Sequence, residues 1–208
     1  MNSPIYNLRP RDNSAIPTVI FILLIANGIV FALQQLNWEF LVINFGLWPY
    51  GVPGSPFAPW QLITYGFLHG NLTHIFFNMF GLWMFGRDLE RLMGPQRFLI
   101  YFFTCVVGAG IVQLIVAATQ GAIYPTIGAS GGVFGILLAY GLTYPNRMVM
   151  LIFPPIPMRA KYFVLLYGLL ELYLGVSGGA PGVANFAHLG GMLFGFALLR
   201  YWAKPRRR

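Results

Sequence analysis

A chain in which Lys, Arg, Asp and Glu make up only 9% of the residues cannot cover itself with a water-facing surface. Soluble domains carry about 25% charged residues. Here 57% of the 208 residues are hydrophobic. Together these facts specify a polytopic membrane protein. The formal net charge of +8 would suit nucleic acid in a soluble protein, but the basic residues are scattered between apolar spans and bunched in the tail KPRRR. That distribution matches anchoring at an anionic bilayer surface, with no nucleic-acid partner. The single cysteine, Cys105, lies in an apolar stretch and reads as a small buried side chain. Alone it can form neither an intrachain disulfide nor a thiolate metal site.

A helix that crosses the hydrocarbon needs about 20 apolar residues. Six segments qualify, at about 17–36, 71–88, 96–117, 129–144, 160–175 and 184–202. The polar start MNSPIYNLRPRDNSA runs into the first without a convincing cleavage site, so that segment reads as a spanning helix rather than a signal peptide. The fourth is short and glycine-rich, which suits a helix packed among others. All 13 Lys and Arg residues fall in the N-terminal tail (Arg9, Arg11), around the second-to-third and fourth-to-fifth connections, or at the C-terminal end. The alternate loops, at about 37–70, 118–128 and 176–183, contain none. The positive-inside rule therefore puts both termini in the cytoplasm. The first external loop is aromatic, apolar and broken by Pro and Gly, so it is expected to lie partly in the membrane interface or against the bundle. No internal repeat is evident. The expected fold is an all-α membrane protein of six transmembrane helices, one domain over 1–208, with cytoplasmic tails at 1–16 and 203–208.

Polar side chains inside a membrane are functional candidates. They are His69, His74, Asn78, Ser130, Glu171, Asn185 and His188. The second, fourth and sixth spans all descend from outside. His74 and Asn78 sit in the first turns of the second span, four residues apart and so on one face. Ser130 heads the fourth, and His188 lies about one turn into the sixth. Three distant segments thus deliver Ser, His, His and Asn to the same outer third of the membrane. A serine hydroxyl becomes a nucleophile when a nearby base, usually neutral histidine, accepts its proton. Acyl transfer also needs donors aimed at the developing oxyanion; His74, Asn78 and the Ser130 N–H are suited to that. In HLGGMLFG, Gly191 and Gly195 form a GxxxG face that permits close helix packing. If its partner is the fourth span, His188 comes within reach of Ser130.

GASGGVFG at 128–135, AHLGGMLFG at 187–195 and HGNLTHIFFNMFG at 69–81 together resemble the rhomboid intramembrane serine proteases. The resemblance covers about residues 15–202, with the three motifs in family order. GxSG alone is weak, whereas the ordered set is specific. The resemblance implies a Ser130–His188 dyad without a third acid and an oxyanion site involving His74 and Asn78. It also implies supporting roles for Gly128, Phe134, Gly191 and Gly195, no cofactor, and transmembrane proteins as substrates. Phe134 stands four residues after the serine, where the family often has a tyrosine packed on the catalytic histidine. Trp60-Gln61 replaces the familiar Trp-Arg pair of the first loop, and Glu90 matches a position thought to be structural. The expected location is a bacterial plasma membrane, since neither extra domains nor a targeting segment is seen.

Each residue has a plainer reading. Ser130 could be a helix N-cap or a packing residue, and His188 a buried, hydrogen-bonded histidine. His74 and Asn78 could satisfy loop backbone. His69 reads as structural at the membrane boundary, Glu171 as a neutral hydrogen-bonded carboxyl or an interhelical link, and Asn185 as a cap of the sixth span. A transporter would also have six spans, but there is no inverted repeat and few ionisable groups line a path. A metalloenzyme could use His69, His74 and His188, yet it lacks an HExxH helix and leaves Ser130 without a purpose. A binding protein on the same fold, catalytically inactive, would be expected to lose the serine or the histidine, and this chain keeps both.

Overall fold

The computed structural model describes residues 18–121, 123–150, 155–178 and 184–204. The tail at 1–16 with Arg9 and Arg11, the tail residues from 205 onward, and positions 179–183 of the last external loop lie outside the described residues. In chain order the elements are α1 (Thr18–Leu36), α2 (Trp38–Phe45), α3 (Gln61–Thr64) with a 3-10 turn at Tyr65–Phe67, and α4 (Leu72–Met93). There follow α5 (Pro95–Gln120), α6 (Ser130–Thr143), β1 (Met148–Met150), β2 (Pro157–Arg159), α7 (Ala160–Ser177) and α8 (Asn185–Ala203). The six long helices match the six apolar segments in order. Among the described residues α1, α5 and α7 are each long and apolar enough to cross a bilayer by themselves.

The 14 residues of α6 reach only about 21 Å at 1.5 Å per residue, short of the roughly 30 Å hydrocarbon thickness. Such a helix is stable at depth only when other helices surround it, and α6 is the centre of the bundle. Gly131, Gly132, Val133, Gly135, Ile136, Leu137, Ala139, Tyr140 and Gly141 are all buried. The glycines set its distances. A side chain on Gly132 would meet Phe102, and one on Gly135 would meet Cys105, both on α5. Tyr101 of α5 donates its hydroxyl to the Gly135 carbonyl at 2.7 Å. Outer helices show the opposite pattern. Phe21, Ile22, Ile25, Ile29 and Leu33 of α1 and Leu165, Leu166, Leu169, Leu172 and Val176 of α7 face outward. An apolar exterior of that extent belongs against lipid.

Specific polar contacts fix the two ends of the bundle. At one end, the Glu90 carboxylate accepts the backbone N–H groups of Val19 and Ile20, both at 2.9 Å. These are orphan donors of a helix start, and a negative charge there also suits the helix dipole. Glu90 thus holds α1 to α4, a structural role. At the same end Arg147 pairs with Asp88 at 2.7 Å, joining α4 to the connection after α6. Opposite them, Leu47 and Thr126 exchange backbone hydrogen bonds at 3.0 and 2.9 Å, joining the first loop to the α5–α6 connection.

Two features go beyond the six expected helices. Met148–Met150 and Pro157–Arg159 pair as two short antiparallel strands. The first loop contains α2 and α3. Asn37 caps α2 by accepting the Phe40 N–H at 3.1 Å. Gln61 is buried: its side chain accepts the Trp48 N–H at 3.2 Å and donates to the Pro56 carbonyl at 2.9 Å. In place of the expected arginine stands a neutral amide that ties the loop to itself.

Candidate active site

Ser130 is the first residue of α6, and the position before it, Ala129, makes no side-chain cap. Ser130 therefore does not occupy the N-cap position of its helix. Its hydroxyl lies 2.8 Å from Nε2 of His188. The His188 ring stacks on Phe134, with centroids 4.3 Å apart and planes 6° from parallel. Phe134 is one turn after Ser130 on the same face, so α6 supplies both the hydroxyl and the surface that fixes the imidazole plane.

The approach of α8 depends on glycine. A Cβ on Gly191 would collide with the Gly131 carbonyl, so the two backbones touch one turn below His188. Gly195 faces Tyr101 and Cys105 of α5 instead. The GxxxG face is thus shared between two neighbours, where the sequence suggested α6 alone. The reason is position: α8 lies in the groove between α5 and α6.

Asn71 caps α4 by accepting the His74 N–H at 2.8 Å. The His74 ring accepts the Gly70 N–H at Nδ1, 3.3 Å away. A neutral imidazole has one donor and one acceptor nitrogen, so this bond assigns the proton to Nε2. Gly128 has φ +130°, and its N–H donates to the Tyr65 carbonyl at 2.9 Å. A Cβ there would come within 2.8 Å of His74 Nε2 and 3.6 Å of Ser130 Oγ. A side chain there would therefore crowd both the imidazole and the hydroxyl. Asn78 is buried behind, its amide donating to the His74 carbonyl at 2.9 Å.

Glu171 is 8% exposed and reaches from α7 to α8. Its Oε2 accepts from Asn185 Nδ2 at 2.6 Å and lies 2.9 Å from His188 Nδ1. Glu171 is therefore an interhelical link, and Asn185 belongs to that link rather than capping α8. The dyad implied by the resemblance had no third acid; here a carboxylate adjoins the histidine. Asn185 and His188 are three residues apart on α8, a spacing that puts both on one face. An acid in an apolar span opposite that face was the sequence signal for the contact.

His69 is fully buried with its backbone clamped by Gln34, whose amide accepts the His69 N–H at 2.9 Å and donates to its carbonyl at 3.3 Å. Its ring meets that of His74 edge-on at 5.1 Å. Burial, then the neighbouring His74, push its pKa down to about 3. Among the described residues no three His, Cys, Asp or Glu side chains are grouped to hold a metal ion.

The Rhomboid domain family model matches residues 56–205. YdcA, a rhomboid relative from Bacillus subtilis (strain 168), is 30% identical over 191 residues, covering 88% of this chain and 86% of its own length. Rhomboid protease GluP of the same organism is 29% identical over 144 residues, 66% of this chain and 25% of its own length. Rhomboid protease GlpG of Yersinia pestis (strain Pestoides F) is 26% identical over 177 residues, 83% and 58% respectively. This chain thus spans nearly all of the first relative, a quarter of the second and little over half of the third. With most of its length matched by the family model and ordered around an apolar helical bundle, the chain belongs to the rhomboid family.

Proposed function

We propose that this protein is an intramembrane serine endopeptidase that cleaves peptide bonds in or beside the transmembrane segments of other membrane proteins. The observation that carries the reading is the 2.8 Å contact between Ser130 Oγ and His188 Nε2. Ser130 attacks the scissile carbonyl carbon while its proton passes to His188 Nε2. The oxyanion forms in the space beside Gly128. There His74 Nε2–H can donate, with the N–H of Ser130, which at a helix start has no partner within the helix. Asn78 supports His74 from behind. As the tetrahedral intermediate collapses, His188 returns the proton to the leaving amine, and the acyl group remains on Ser130. Water then attacks the ester, with His188 again taking and returning a proton. No cofactor enters this chemistry. The protein would act as a six-span protein of a bacterial plasma membrane with both termini in the cytoplasm and the site in its outer third. The names of GluP and GlpG as rhomboid proteases support the activity.

Purified protein in liposomes should react with a fluorophosphonate, and mass spectrometry should locate the adduct on Ser130. Ser130→Ala and His188→Ala should each abolish cleavage of a model transmembrane substrate while the protein remains folded. Full cleavage by either variant removes the dyad. A folded wild-type protein that neither labels nor cleaves would instead support a rhomboid-like protein that only binds its clients.

A further inference from the structure

Glu171 is an ionisable group inside an apolar helix, where such a residue needs a partner. Both of its partners stand on α8. Asn185 Nδ2 donates to Oε2 at 2.6 Å, and His188 Nδ1 lies 2.9 Å from the same oxygen. Asn185 is three residues before His188, so the two side chains share a face of α8 and meet the same carboxylate oxygen. The side chains of Glu171 and His188 are about nine-tenths buried, at 10% and 11% exposure, where water competes weakly for either charge.

The protonation pattern follows from the other end of the ring. For His188 to take the Ser130 proton, its Nε2, 2.8 Å from Oγ, must be the acceptor, which puts the neutral ring's proton on Nδ1, toward the carboxylate. The Nδ1–H makes no aligned hydrogen bond in this resting arrangement. The 2.9 Å approach is a charge contact out of line with the ring N–H. Such a contact is weak for a neutral imidazole and strong for a cationic one. It therefore favours the state in which His188 has taken the serine proton over the state in which it has not. An interaction that strengthens only as charge develops accelerates the reaction without tightening substrate binding.

We propose that Glu171 is a positioning residue that holds His188 with its proton on Nδ1 and stabilises the imidazolium formed when Ser130 attacks. The proton moves from Ser130 Oγ to His188 Nε2 and later to the leaving amine, and the Glu171 carboxylate stays ionised throughout. The inference rests on the proposed protease reading. It extends that dyad to a three-residue arrangement whose acid is delivered by a separate helix, α7.

The test compares wild type with Glu171→Gln, Glu171→Asp and Glu171→Leu in liposomes. In soluble serine proteases, loss of the carboxylate behind the histidine costs about 10⁴ in kcat. The misaligned contact here sets a smaller expectation. Glu171→Gln keeps an acceptor for Asn185, and should lower kcat at least about tenfold with KM changed less than about twofold. Glu171→Asp should recover part of the loss, and Glu171→Leu should be worst. Fluorophosphonate labelling of Ser130 should slow in the same order. Independently of the variants, ¹⁵N spectra of histidine-labelled wild-type protein should show His188 protonated at Nδ1. Unchanged kcat in folded Glu171→Gln overturns the proposal, as does a wild-type His188 protonated at Nε2 alone. A loss confined to thermal stability or KM, without rescue by Asp, makes Glu171 an interhelical link only and also overturns it. Failure of wild type to label at Ser130 would instead remove the protease reading, a distinct result.

Discussion

At the scale of single residues the site depends as much on an absent side chain as on those present. Gly128 combines φ +130°, which L side chains rarely adopt, with a Cβ position 2.8 Å from the His74 ring. Gly128→Ala would fill the space assigned to the oxyanion. Removing one oxyanion donor from a soluble protease costs about 10²–10³ in kcat. Blocking the space should cost at least that, with fluorophosphonate labelling of Ser130 slowed as well. By the same logic His74→Ala should lower kcat more than Asn78→Ala, since Nε2 of His74 borders the space and the Asn78 amide is bonded to the His74 carbonyl. Steady-state kinetics on folded protein check both. Equal, wild-type kcat in both variants would move the oxyanion donors elsewhere. That Ser130, His188 and His74 would come together was legible in the sequence because the alternating placement of charge assigns their three segments a common depth, which one sequence carries. Glu171 was legible only as a link. Whether its carboxylate meets the histidine depends on how α7 is rotated about its axis, and an apolar helix with lipid-facing residues around much of its surface does not encode that rotation strongly.

Among the elements, the decisive contact is that of α6 with α8. A side chain on Gly191 would collide with the Gly131 backbone, and backbone cannot swing aside as a flexible side chain can. Gly191→Ala should therefore force the helices apart and move His188 from Ser130. Overpacking of this kind costs typically about 1–3 kcal/mol, and the variant should unfold at lower temperature in detergent and lose cleavage. Gly28 is the control. Nothing lies within 4 Å of a Cβ there, so Gly28→Ala should match wild type in both assays. Equal behaviour of the two alanine variants would contradict the packing account. Small-residue spacing announced that α8 packs tightly, yet could not say against what. The same face meets α6 through Gly191 and α5 through Gly195, a division set by the groove between them. The paired strands Met148–Met150 and Pro157–Arg159 and the helices α2 and α3 escaped the sequence reading for a related reason. Elements of three to eight residues owe their stability to tertiary bonds, such as those Gln61 makes across the first loop, more than to local pattern.

For the whole molecule, the contacts sort the connections into two groups at opposite ends. Glu90 with the start of α1 and Asp88 with Arg147 mark one end, and Leu47 with Thr126 marks the other. The arginines of the first end give it the sign expected of the cytoplasmic side. Reporter fusions near Arg91 and Arg147 should therefore behave as cytoplasmic, and a reporter in the α5–α6 connection at 123–128 as external. The reverse result would invert the depth assigned to the site. Alternation of basic residues made this arrangement legible, whereas the bonds that hold each end together join residues up to 79 positions apart (Leu47 and Thr126) and carry no local signature. The order of helices along the chain has a further consequence. The ribosome makes Ser130 on α6 well before it makes His188 on α8, and the Gly131–Gly191 contact cannot form until α8 is in place. During synthesis the nascent chain holds a serine with no base beside it. On the proposed protease reading, the chain would thus be inert while it is being inserted among its substrates, and would acquire activity only when its last helix docks.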